Sequence, residues 1–283
     1  MDKNKTTDKD ILMNTFRHAF VLSLALLISC FAKADIAEVN GINIYYEVHG
    51  EGTPLVLLHG GYVDSDMWTI ETLILSQSFQ VIEIDSRGHG RSTDGEDAIS
   101  YELMADDTLK LLDQLEINNA HFAGWSDGAV VAAQIAAYHP ERVNKLVLIG
   151  AAFGGDTYVP AFSTVLGSEP VFKVFADTTF GIKYKLTNPQ PDHWPVFRDK
   201  LYDLWNTECY LPTNPEYCLE PLESINAQTL VLVGKNEIIR FDHTEAIVEA
   251  IPDAELEVVH LAGHFLPETR PFTTAYKIRK FIE

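Results

Sequence analysis

Two stretches of this chain, Leu55-Val56-Leu57-Leu58 and the run Leu146-Val147-Leu148-Ile149 that follows Lys145, are apolar at every position. A strand with one wet face alternates apolar and polar side chains. Runs without alternation therefore predict strands buried on both faces, at the centre of a sheet with helices on each side. Further β-rich runs are predicted at 42–48, 80–84, 121–124, 229–233 and 256–259, with helix-period patterns at 101–115, 129–139, 242–250 and 272–281. This alternation predicts an α/β fold with a mostly parallel sheet. Asn40-Gly41 predicts a tight hairpin joining 36–39 to the first long run.

From 153 to 222 the alternation stops, and Pro189, Pro191, Trp194, Pro195 and Trp205 punctuate an aromatic-rich segment. It reads as a helical cap inserted late in the sheet, lying over one sheet end and dividing the core into 35–152 and 223–283. Phe162, Phe172, Phe175, Phe180, Trp194, Phe197, Tyr202 and Trp205 are expected to divide about equally between pocket lining and cap core.

Residues 1–34 read as an export signal. Arg17 and His18 precede the apolar run Ala19 to Ile28, and Ala32-Lys33-Ala34 has the small-x-small form of a cleavage site. Met13 is a second possible start. The alternative is a lipid anchor at Cys30, because Leu27-Ile28-Ser29-Cys30 resembles a bacterial lipobox. The run is too short to span a membrane, which takes about 20 apolar residues, and no later run approaches that length. Export would leave Cys209 and Cys218 as an even pair in an oxidising compartment, across a segment with Pro212, Asn214 and Pro215 that can turn back. A disulfide is expected, two free thiols being the alternative. With 21 basic and 41 acidic residues the chain has a formal net charge of −20. Such a surface repels phosphate backbones and argues against nucleic acid as a partner.

Chemistry concentrates in Gly124-Trp125-Ser126-Asp127-Gly128, a G-x-S-x-G pentapeptide between a predicted strand and an alanine-rich helix. Small residues on both sides allow the sharp turn that lifts a serine hydroxyl clear of the sheet. A serine hydroxyl needs a base to take its proton, and an imidazole oriented by a carboxylate is the usual arrangement. His264, after the last predicted strand, and Glu237, in Gly234-Lys235-Asn236-Glu237 after the preceding one, are the candidates. Asp242 and Asp156 remain open as alternative acids.

The order Ser126, Glu237, His264 resembles the α/β-hydrolase fold family. So do His59-Gly60-Gly61, the loop Asp85 to Ser92 and Gly263-His264-Phe265. The resemblance covers nearly all of 36–283 and extends to proline iminopeptidase-like enzymes, amino-acid ester hydrolases, carbon–carbon bond hydrolases and cofactor-free perhydrolases. It implies a cofactor-independent serine hydrolase acting on a small molecule, with an oxyanion hole formed by the backbone N–H groups of Gly61 and Asp127. Tyr62 is the substitute donor if the loop is offset by one residue. Tyr62 and Trp125 are further substrate-contact candidates. Relatives usually carry Asp where this chain has Glu237. Amino-acid ester hydrolases with the same Gly-Trp-Ser-Asp-Gly stretch use its aspartate to bind a substrate ammonium, which would assign that role to Asp127. The alternative is a carboxylate favoured by a helix N-terminus. Dehalogenases and epoxide hydrolases are disfavoured because they carry aspartate where Ser126 stands. A ligand-binding protein that keeps the triad with negligible turnover is the rival from another class.

Two other patterns carry less. His260 and His264 are four apart, but Gly263 and the β-rich run before it argue against a helical metal pair, and H-E-x-x-H is absent. The Arg87 to Ser92 loop has neither phosphate-loop spacing, so it is expected to brace the sheet end. No metal or cofactor is expected.

Overall fold

The computed structural model describes residues 33–213 and 217–283. The apolar run of the expected signal and Cys30 lie outside the described residues. Eight strands form one sheet: β1 Lys33–Val39, β2 Ile42–His49, β3 Thr53–Leu58, β4 Phe79–Ile84, β5 Ala120–Trp125, β6 Val143–Ile149, β7 Gln228–Asn236 and β8 Ala254–Gly263. Their spatial order is β1-β2-β4-β3-β5-β6-β7-β8. β1 pairs antiparallel with β2, and β2 with β4, while every other pairing is parallel.

The two unbroken apolar runs lie inside this sheet, as β3 and β6. Val56, Leu58, Leu146 and Leu148 enter the core on one face. Leu55, Leu57, Val147 and Ile149 enter a second core on the other. Burying a leucine fully is worth about 1.5–3 kcal/mol, so a polar residue at any of these positions would be costly. The hairpin forms where Asn40-Gly41 predicts it, with φ of 49° and 74° at the two turn residues, the left-handed pair that suits a two-residue turn. β1 begins at Lys33, with Lys33 opposite Val48 and Ala34 opposite Glu47. Cleavage after Ala34 would therefore remove the first two pairs of this strand and keep the rest.

Helices pack on both faces: α1 Thr69–Leu75, α2 Tyr101–Gln114, α3 Asp127–Tyr138, α4 Pro160–Leu166, α5 Glu169–Thr179, α6 Gly181–Thr187, α7 Trp194–Trp205, α8 Phe241–Ala250, the short α9 Leu266–Thr269 and α10 Pro271–Ile282. Ser100 caps α2 by accepting the Leu103 N–H at 3.1 Å, which fixes where that helix starts. α1 was not expected from the sequence, because its pattern is inverted. Ile70 and Leu73 are exposed while Glu71 is buried, and burial pushes the Glu71 carboxyl up to about 8. Among the described residues, no helix is long and apolar enough to cross a membrane.

Between β6 and β7 the chain leaves the sheet for α4 to α7. Asn188, following α6, donates to the carbonyls of Gly88, Gly90 and Ser92 at 3.3, 3.0 and 2.9 Å. Lys200 of α7 reaches Asp94 at 2.8 Å. These bonds tie the inserted helices to the loop after β4. That loop is itself braced by Asp85, which accepts from the backbone N–H and hydroxyl of Ser65 and from Arg91. Arg87 makes a buried two-bond pair with Asp107 at 2.6 and 2.8 Å. Cys209 and Cys218 are joined as a disulfide, with Cα atoms 5.1 Å apart.

Candidate active site

β3 and β5 are neighbours in the sheet, with Leu58 opposite Gly124. The loop after β3 and the turn after β5 are therefore side by side at the strands' carboxyl ends, where open α/β sheets bind ligands. Ser126 sits at the β5–α3 turn with φ 54° and ψ −120°, a strained conformation for a residue with a Cβ, costing of order 1–3 kcal/mol. Its flanking glycines are required by space. A Cβ at Gly124 would lie 2.1 Å from the Gly128 carbonyl oxygen, and one at Gly128 would lie 2.2 Å from that of Leu58.

The strained turn presents the Ser126 hydroxyl to His264, with Oγ 3.1 Å from Nε2. The Nδ1 of His264 lies 2.5 Å from Oε1 of Glu237. Glu237 directly follows β7, and Oε1 also accepts the Ile238 N–H at 2.9 Å, so the longer side chain is pinned by its own loop. Both side chains are more than nine-tenths buried, which strengthens the attraction by excluding water. The other two acids lie elsewhere. Asp242 pairs with Arg240 at 2.5 and 3.1 Å, and the Asp156 backbone accepts from the same arginine.

Two further groups fix His264. The Trp125 indole donates to its backbone carbonyl at 2.6 Å, so Trp125 holds the main chain at His264 as well as lining the adjacent cavity. Gly150, with φ 56°, lets β6 end close under the pair. A Cβ there would lie 3.2 Å from His264 Nδ1 and 3.3 Å from Glu237 Oε2. Nothing in the sequence pattern around Gly150 signals this contact.

His59 shapes the loop opposite Ser126. Its Nε2 accepts the Ser86 N–H at 3.0 Å, leaving Nδ1–H to donate to the Gly60 carbonyl at 2.7 Å. Complete burial lowers the imidazole pKa and keeps this neutral tautomer. Because a trans peptide points C=O and N–H in opposite directions, pinning the Gly60 carbonyl turns the Gly61 N–H the other way, and Gly61 lines the cavity beside Ser126. Asp127 is the first residue of α3, where a helix has no internal acceptor for its N–H.

The side chains of Tyr62 and Asp127 occupy different surroundings from those expected. Tyr62 is buried in the cap. Its hydroxyl donates to the Arg198 carbonyl at 2.7 Å and its ring packs against Phe180, Trp205 and Phe197, so it does not line the cavity. The Asp127 carboxylate is enclosed, accepting the Trp205 indole N–H at 3.0 Å and the Tyr101 hydroxyl at 3.0 Å. Burial raises its pKa to about 6. Protein donors fill the place expected for a substrate ammonium, and among the described residues no acidic one lines the cavity. Asp127 instead anchors Trp205, a partnership visible only once the cap is folded.

The cavity over Ser126 has a volume of about 260 Å³ and is lined chiefly by aromatic and aliphatic side chains. Of the eight cap aromatics singled out from the sequence, Phe162, Phe175, Phe180 and Trp205 line it, while Phe172, Trp194, Phe197 and Tyr202 do not; Tyr158 lines it as well. The arrangement can deprotonate a serine hydroxyl, hold a carbonyl oxygen between backbone donors, and bury an apolar group beside the reacting bond.

Residues 53–190 match the α/β hydrolase fold family. The chain is 27% identical over 266 residues to a 2-hydroxy-6-oxo-6-phenylhexa-2,4-dienoate hydrolase of Comamonas testosteroni, covering 84% of this chain and 90% of that protein. It is also 27% identical over 271 residues to a candidate carbamate hydrolase of Caulobacter vibrioides, covering 89% and 98%. Among solved structures, an N-acyl homoserine lactone degrading enzyme superposes with a TM-score of 0.67 at 28% identity, covering 87% of this chain and 100% of that one. With its sheet order, elbow and strand-end loops, the chain belongs to the α/β-hydrolase fold family.

Proposed function

We propose that the protein is an exported serine hydrolase that cleaves a small or medium ester or lactone with an apolar acyl part. The observation that carries this reading is the run of contacts Ser126–His264–Glu237, at 3.1 and 2.5 Å, opening into an aromatic cavity. In the first step His264 Nε2 takes the Ser126 proton and Oγ bonds to the substrate carbonyl carbon, placing negative charge on the carbonyl oxygen. The N–H groups of Gly61 and Asp127 stabilise that oxygen, each such donor being worth about 3–4 kcal/mol. His264 then gives the proton to the leaving oxygen as the carbon–oxygen bond breaks, leaving an acyl-serine. Water, deprotonated by the same nitrogen, attacks the acyl carbon, and the proton returns to Ser126 Oγ as the acid departs. Glu237 holds Nδ1–H throughout and offsets the imidazolium charge.

The apolar wall supports an aliphatic or aromatic acyl group, and the lactone-degrading structure at 28% identity supports a cyclic ester. The apolar run 19–28 with its small-x-small site and the Cys209–Cys218 pair support export. Likeness to the dienoate hydrolase favours a second reading, hydrolysis of an activated carbon–carbon bond by the same residues. A panel of acyl esters, lactones and one vinylogous diketone separates the two. The first reading expects ester or lactone turnover that falls in Ser126→Ala. Turnover of the diketone alone would favour the second, and turnover of none by folded protein would contradict both.

A further inference from the structure

Glu47 and Glu83 stand directly opposite one another where β2 pairs antiparallel with β4. Like charges in that relation repel and destabilise a sheet unless a cation lies between them. His49, two residues along β2, projects on the same side, and its Nε2 lies 3.1 Å from Glu47 Oε2 and 3.7 Å from Glu83 Oε2. That nitrogen is enclosed and, among the described residues, makes no aligned hydrogen bond. It lies between two carboxylate oxygens without the alignment a hydrogen bond requires.

Each carboxylate has its other oxygen held by the protein. Glu47 Oε1 accepts the Tyr45 hydroxyl at 2.5 Å, with Arg91 Nη1 at 3.5 Å. Glu83 Oε1 accepts the Thr72 hydroxyl. The two Oε2 atoms are thereby turned toward His49, as metal-binding carboxylates are commonly oriented by outer hydrogen bonds. A zinc ion with ligands at about 2.0–2.2 Å in tetrahedral geometry keeps those ligands about 3.3–3.6 Å apart. The separations from His49 Nε2 straddle that interval, and one ligand atom from each residue fits within 4.8 Å of the others.

We propose that Glu47, His49 and Glu83 bind one divalent cation of the zinc class, with one nitrogen and two oxygen donors. The site shares no residue with the Ser126–His264–Glu237 group and does not depend on the hydrolase reading. Its effect is to fasten β2, and through it the β1–β2 hairpin, to β4. The sequence did not reveal it because Glu83 comes from a distant strand and joins the other two only through the β2–β4 register.

The test is calorimetric titration of zinc chloride into the chelator-treated full chain, beside His49→Gln, Glu47→Gln and His264→Ala, each checked for folding by circular dichroism. The wild type is expected to bind one zinc with micromolar or tighter affinity, and excess zinc to raise Tm by about 5–10 °C. His49→Gln and Glu47→Gln should each weaken binding at least 30-fold, and His264→Ala should retain it. If one of the two strand variants fails to fold, the other carries the comparison. Absence of stoichiometric zinc binding by the folded wild type would overturn the proposal, leaving a protonated His49 as the cation between the glutamates. Binding lost only in His264→Ala would place the ion at the hydrolytic group and overturn it equally.

Discussion

At the carboxyl ends of β3, β5 and β7, the groups proposed to react are set by backbone geometry. Ser126 is raised by a turn that only Gly124 and Gly128 permit, and Glu237 is pinned by the N–H of the residue after it. In the cap, Phe175, Phe180 and Trp205 are set by ring packing on ring and by a few polar ties to the core. The first region tolerates almost no displacement, because proton transfer needs hydrogen-bond distances. The second can change shape residue by residue and keep its volume apolar. The proposed chemistry thus assigns bond cleavage to the rigid region and substrate choice to the adaptable one.

The largest expected effect breaks the first region. Ser126→Ala and His264→Ala should each lower kcat by about 10⁴- to 10⁶-fold, with the double variant no slower than either alone, because the two act as a unit. Additive losses in pre-steady-state kinetics would show that they do not. Glu237→Gln keeps the side-chain length but loses the charge that holds Nδ1–H. A fall of about 10²- to 10⁴-fold in kcat with little change in KM is expected.

Asp127 lies where the regions meet, with Tyr101 on the core side and Trp205 on the cap side. Its folded pKa, raised to about 6 by burial, exceeds its unfolded value. Its contribution to stability is therefore complete below the unfolded pKa and lost as pH rises from about 4 to about 6. The denaturation free energy of Asp127→Asn, measured relative to wild type, should rise by about 2 kcal/mol between pH 4 and pH 7. A pH-independent difference would contradict a buried, proton-retaining carboxyl at the junction. The smallest effect belongs to the cap. Phe175→Ala should raise KM for apolar acyl substrates about tenfold with a smaller change in kcat, and a fall in kcat without a KM change would erase the division of labour.

The same contrast explains what the sequence made legible. β3 and β6 were readable because burial on both faces leaves an unbroken apolar run, and Ser126, His264 and Glu237 because each follows a strand in a local motif. α1 was not, since Glu71 faces inward while Ile70 and Leu73 face out. The surroundings of Tyr62 and the partners of Asp127 depend on how α7 docks, which no local pattern encodes. The grouping of Glu47, His49 and Glu83 likewise depends on strand register.

The proposed hydrolysis requires an activated serine, and the most direct test is the intact mass of folded residues 35–283 after exposure to a fluorophosphonate probe. A single adduct is expected on the wild type, absent in Ser126→Ala and strongly slowed in His264→Ala. A well-folded wild type that gains no adduct, or one that labels equally without His264, would contradict it.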